Sequence, residues 1–196
     1  MTPLSQDPYG SFLLTMHFLL DQVILVAQID SEAFQELSDH AYDALERKHP
    51  LRDDPLVSLK EEYLLDIPHK FEEWIAKTID SQFNLHKTNS GIYGVDHTKL
   101  KMKGLWVNRM HKGDQHFPHQ HESSFYSFSA YIKTTADDAP FLFIKNDQGQ
   151  PVNIGEESMG HVLIFPSTLV HTVYPKQTDG ERISVSGNII IDVIDA

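Results

Sequence analysis

Four of the chain's twelve histidines fall within eleven residues: His111, His116, His119 and His121. Imidazole is the commonest side-chain donor for iron, zinc, copper and nickel, and histidines gathered near one strand aim at one ion. Each of the four, taken singly, has an ordinary use in capping or hydrogen bonding within a polar loop. His119 and His121 together point further, because residues i and i+2 of an extended chain project to the same side and address one cavity. A metal held by two near neighbours needs a third donor from elsewhere. His171 is the candidate, a polar residue in the run Phe165-Pro166-Ser167-Thr168-Leu169-Val170-His171-Thr172-Val173. A lone histidine in such a strand is more often a hydrogen-bonded core residue; the pairing with His119 and His121 is what makes it a ligand candidate.

Further along, the last strand alternates. Arg182, Ser184, Ser186 and Asn188 share one face, and Ile183, Val185 and Ile189 share the other. A polar face on an apolar strand looks at water or at a polar ligand. A guanidinium beside a hydroxyl two residues on suits a carboxylate, since the planar fork engages both oxygens. A solvent-facing edge strand explains the same alternation equally well.

Taken as an ensemble, these residues resemble the Fe(II)- and 2-oxoglutarate-dependent dioxygenases. Members of that family carry a His-x-(Asp/Glu) pair, a distal histidine some fifty residues on, and an arginine about ten further. The string here runs Trp106-x-Asn108, Gly113, His119-x-His121, Gly160, Phe165-Pro166-Ser167-x-Leu169-x-His171-x-Val173 and Arg182-x-Ser184. It is similar to a branch of small oxygenases and covers about residues 104 to 190; residues 1 to 90 add little. One position departs from the family, because His121 stands where Asp or Glu is usual. Three neutral ligands would leave the metal its full +2 charge. Glu122 is the alternative carboxylate ligand, although strand parity turns it away from His119 and His121 unless Pro118 distorts the backbone.

The resemblance implies Fe(II) held by His119, His121 and His171, which are then also the catalytic residues. It implies 2-oxoglutarate chelating that iron, its far carboxylate on Arg182 and Ser184. Asn108 and Tyr131 are candidates to contact the co-substrate, and Tyr126 to contact the substrate. Dioxygen would be consumed, succinate and CO2 released, and a small molecule, amino acid or peptide hydroxylated. The protein's part is to aim the metal, anchor the co-substrate and exclude water.

Such a site needs elements to position it. Phe12 to Ile29 has strand composition, with a break near Asp21-Gln22 and a buried-strand run at Val23–Gln28. Ser31 to Lys48 has helical spacing of Phe34, Leu37, Ala41, Ala44 and Leu45, with Asp30 or Ser31 as cap and Pro50 as stop. A second helix is predicted from Pro68 to about Phe83, and a strand within Val57–Leu65. After Ser90, short strands are predicted at Trp106–Met110, Phe125–Ile132, Phe141–Ile144, His161–Phe165, Val170–Tyr174 and Ile183–Val193, separated by turn signals. The expected fold is mostly β with N-terminal helices on a double-stranded β-helix, a jelly-roll of cupin type. One oxygenase domain, 1–196, is expected, with the 1–90 layer packed on the 91–196 core.

Composition narrows the function classes. A net charge of −12 works against binding nucleic acid, and Lys99, Lys101 and Lys103 read as a solvated strand face. Without cysteine there is no disulfide, thiolate ligand or cysteine nucleophile, which is compatible with a cytoplasmic protein. His17, Asp21 and Gln22 interrupt the apolar stretch from Phe12 to Ala27, so no membrane span is expected. Phosphate loops, H-E-x-x-H and G-x-S-x-G motifs do not occur. Oligomeric state is open, a homodimer included. Two rival readings stand: a cupin-like three-histidine metalloenzyme without 2-oxoglutarate, and a non-catalytic β-sandwich binding module.

Overall fold

The computed structural model describes residues 14–19, 22–50, 61–90 and 99–192. Within them the chain runs β1 (Leu14–Leu19), β2 (Gln22–Gln28), α1 (Ser31–Arg47), β3 (Glu62–Leu65), α2 (His69–Ser90), β4 (Leu100–Met110), β5 (His116–His119), β6 (Tyr126–Lys133), β7 (Asp138–Lys145), β8 (Gln148–Ile154), β9 (His161–Pro166), β10 (Val170–Val173) and β11 (Arg182–Ile191). All strand pairs are antiparallel. A major sheet is ordered β1-β2-β9-β6-β11-β4-β3, and a minor sheet β5-β10-β7-β8. This is the mostly β, jelly-roll architecture with N-terminal helices that the sequence predicts.

Period-two alternation divides the major sheet into two environments. One face carries Leu25, Ala27, Leu105, Val107, Phe128, Ala130, Val162, Ile164, Ile183 and Val185 and packs against α1 and α2. The other carries Ile24, Met110, Tyr131, Leu163 and Phe165 and packs against Phe141, Phe143 and Val173 of the minor sheet. Leu100 and Met102 share the helix face with Leu105 and Val107 despite the opposite parity, because β4 shifts register against β11 between its partners Asn188 and Ile189. Lys99, Lys101 and Lys103 are exposed.

The helices are fastened by their ends. Asp30 accepts a hydrogen bond from the Ala33 amide at 2.8 Å and caps α1. Lys48 closes it in the left-handed region at φ 54. The Glu36 carboxylate of α1 accepts from the Lys70 and Phe71 amides, so one helix caps the next. α2 continues past the expected end near Phe83 to Ser90, since no glycine or proline interrupts it before Gly91. No described helix is long and apolar enough to cross a membrane.

Other boundaries depart from the sequence reading for local reasons. The Trp106–Met110 strand is the end of an eleven-residue β4. β5 and β8 were not predicted. β5 is four residues, interrupted by Pro118, and β8 is mostly exposed and polar, so neither carries an apolar alternation. Asn146 and Asp147, both with positive φ, form the two-residue turn that joins β7 to β8. Val57 to Lys60, the start of the expected third strand, lies outside the described residues, as does Val193.

Candidate metal and dicarboxylate site

His119 ends β5 and lies directly opposite His171 of β10 in the antiparallel register. His121 follows two residues later, its amide bonded to the Ser167 carbonyl at 2.9 Å. The ring centroids of His119 and His171 are 4.3 Å apart, and those of His121 lie 5.1 and 5.3 Å from the other two. One nitrogen from each of the three falls within 4.8 Å of the others. Glu122 sits on the following turn, exposed and outside this group.

The surroundings of His171 favour its neutral form. His171 is 5% exposed and packs between Phe141 and Phe165. Burial, and after it the neighbouring His119 imidazole, hold its pKa well below the ordinary histidine range. Its Nδ1 donates to the Leu169 carbonyl at 2.9 Å, and His119 Nδ1 donates to the Phe117 carbonyl at 2.7 Å. With Nδ1 carrying the proton, Nε2 of each ring keeps its lone pair. Asn188 approaches His121 Nδ1 at 3.5 Å and is itself held by the Ser127 hydroxyl at 2.8 Å. Three imidazoles so arranged fit a first-row divalent ion such as Fe(II).

A second group faces the same cavity. Arg182 is 1% exposed; its guanidinium lies 5.2 Å from the Tyr131 ring centroid and donates to the Ala139 carbonyl at 2.8 Å. Arg182 Nε and Asn108 Oδ1 have no hydrogen-bond partner among the described residues. Buried polar atoms without a partner are rare, and two of them fall on one cavity here. The β11 register sets Ser184 opposite Asn108 on one side and Tyr131 on the other, so these side chains form a row across the sheet. His119, His121, His171, Arg182, Ser184 and Asn108 line one cavity.

Comparison with known proteins follows the same lines. Residues 144–188, less than half of the chain, match the family described as "Putative 2OG-Fe(II) oxygenase". That stretch contains His171, Arg182 and Ser184. Over that stretch the chain is similar to this oxygenase family.

Among solved oxygenases, the 2OG complex of the viral collagen prolyl hydroxylase from Paramecium bursaria Chlorella virus-1 is similar at TM-score 0.53 and 17% identity. It covers 84% of this chain and 94% of that one. HygX from Streptomyces hygroscopicus, with nickel and 2-oxoglutarate bound, is similar at TM-score 0.57 and 13% identity, covering 87% and 83%. A prolyl-4-hydroxylase from Pseudomonas putida is similar at TM-score 0.53 and 14% identity, covering 93% and 94%. At such identities the likeness is one of fold. No curated protein matches the chain.

Within this oxygenase fold, one sequence expectation is corrected. Tyr126 does not face the cavity: it belongs to the core beneath the helices with Phe128, Ala130 and Ile132. The reason is parity, since Ser127, Ser129 and Tyr131 occupy the other face of β6. Burial raises the pKa of both Tyr126 and Tyr131, keeping the phenols neutral. Ser127 and Ser129 line the cavity and were missed by sequence reasoning, although their alternation in β6 repeats the one read in β11. Glu62, only 9% exposed, was missed too; its carboxylate accepts from His116 Nε2 at 2.7 Å, and nothing in its local sequence marks it.

Proposed function

We propose that this chain is an Fe(II)- and 2-oxoglutarate-dependent dioxygenase that hydroxylates a small molecule, an amino acid or a peptide. The observation that carries the reading is three convergent imidazoles sharing a cavity with a buried arginine whose Nε is unpartnered. His119, His121 and His171 would hold the metal, and Arg182 with Ser184 would hold the far carboxylate of 2-oxoglutarate. When bound, Fe(II) supplies the oxidative decarboxylation of 2-oxoglutarate to succinate and CO2, coupled to hydroxylation of a substrate C–H.

The chain's own contribution is orientation. The Leu169 and Phe117 carbonyls fix the tautomers of His171 and His119. Phe141 and Phe165 press on His171 and keep water from its inner side. The Ala139 carbonyl and the Tyr131 ring hold the guanidinium, so its remaining donors can grip a carboxylate without reordering. Asn108 Oδ1, without a partner among the described residues, would accept from a ligand donor in the same cavity.

Succinate release from 2-oxoglutarate under Fe(II) and ascorbate, screened with amino-acid, peptide and small-molecule pools, tests the proposal. The expected result is release that His171→Ala abolishes together with stoichiometric metal. Metal-loaded protein that fails to bind 2-oxoglutarate would instead favour the three-histidine reading without that co-substrate.

A further inference from the structure

A three-histidine group brings no negative charge of its own, yet the fold sets a carboxylate one imidazole away. Glu62 lies at the start of β3, opposite Asn108 in the register with β4, so its side chain shares the cavity face of the sheet. It is 9% exposed, and its Oε1 accepts from His116 Nε2 at 2.7 Å. His116 begins β5, lines the cavity, and stacks 4.6 Å from the His119 ring. Its Nδ1 lies 3.4 Å from His119 Nδ1.

The proton positions follow from the partners. Glu62 is an acceptor when ionised, so His116 carries its proton on Nε2 and offers a lone pair at Nδ1. His119 carries its proton on Nδ1, shared between the Phe117 carbonyl and that lone pair. A chain of donors therefore runs from His119 through His116 to Glu62.

We infer that Glu62 and His116 are positioning residues that supply the metal group with the anionic character usually given by a carboxylate ligand. Hydrogen bonding to a ligating histidine raises its basicity and fixes its orientation, and a carboxylate at the end of the chain strengthens the effect. The pair spans the edges of the two sheets, β3 of the major and β5 of the minor. A structural stitch there would alter stability alone. The inference rests on the proposed metal site and asks more of it.

Co(II) titration of the chelator-treated protein separates these outcomes through affinity and the visible absorption bands of the bound ion. Glu62→Gln keeps an acceptor for His116 and removes only the charge. Its Co(II) affinity is expected to fall by ~10–100-fold, with displaced absorption bands, and Glu62→Asp is expected to recover most of both. Equal affinity and an identical spectrum in folded Glu62→Gln overturn the inference while leaving the metal site standing. If Glu62→Gln does not fold by circular dichroism, His116→Gln carries the same comparison, and unchanged binding there overturns it. Wild-type protein that binds no Co(II) overturns the metal reading itself and this inference with it.

Discussion

At His171 two demands coincide. The side chain is buried among phenylalanines in β10, and as the proposed metal ligand it must remain neutral to offer a lone pair. Burial lowers its pKa and so meets both at once. Arg182 is the complementary case, a permanent charge that is nearly inaccessible and only partly satisfied by Ala139 and Tyr131. A buried cation needs an anionic partner to complete its environment. Arg182→Lys keeps the charge and loses the fork. We expect the apparent KM for 2-oxoglutarate to rise about 10–100-fold, the equivalent of one charge-assisted hydrogen bond, with Co(II) affinity little changed. Both residues were legible as candidates because each is polar in an apolar strand. Tyr126 was misread because aromatic residues sit as readily in a core as in a pocket, and only β6's place between sheet and helices decides the face.

Strands and their contacts set the next scale. β11 carries Arg182 and Ser184, the residues proposed to hold the dicarboxylate, and approaches β4 and β6 closely at Gly187, where an added Cβ would meet Phe128 Cζ at 2.7 Å and the Gly104 carbonyl at 2.8 Å. Gly187→Ala is expected to destabilise by about 1–3 kcal/mol through overpacking, read as a lower urea midpoint. β3 is held to β4 by the Glu61–Arg109 pair, with Arg109 Nε donating to Glu61 at 2.8 Å. The Arg109 guanidinium, helped by His111, lowers the Glu61 pKa from 4.5 to about 2 against the opposing effect of burial. A depressed folded-state value means stabilisation that is complete above pH 4.5 and is lost as pH falls through about 2. Denaturant midpoints of the wild type should therefore fall across that window, and those of Glu61→Gln should fall less. The main strands and both helices were legible from apolar periodicity. β5 and β8 were not, because a short strand and a polar one are defined by their partners rather than by their own pattern.

For the whole molecule, the architecture places one cavity between two sheets and covers the opposite face of the major sheet with helices. Ligands that bind only the folded state raise its stability by mass action, about 2.7 kcal/mol at a hundredfold excess over Kd. Co(II) or Fe(II) should thus raise Tm, and 2-oxoglutarate should raise it further when metal is present and far less without it, because in the proposed site the keto acid would engage both the ion and Arg182. Thermal scans with each ligand alone and with both check the order. A co-substrate effect independent of metal would separate the arginine pocket from the histidines.

By itself the sequence determined which side chains are available: three histidines, an arginine with a serine two residues on, and strands whose alternation turns them inward. These are local properties, read from residue type and a period of two. Only the tertiary structure decided which of them meet. Cross-strand register brings His119 opposite His171, parity removes Tyr126, and the junction of two sheet edges joins Glu62 to His116 across more than fifty residues of chain. Contacts of that kind arise from how antiparallel strands align, and no short stretch of sequence encodes an alignment.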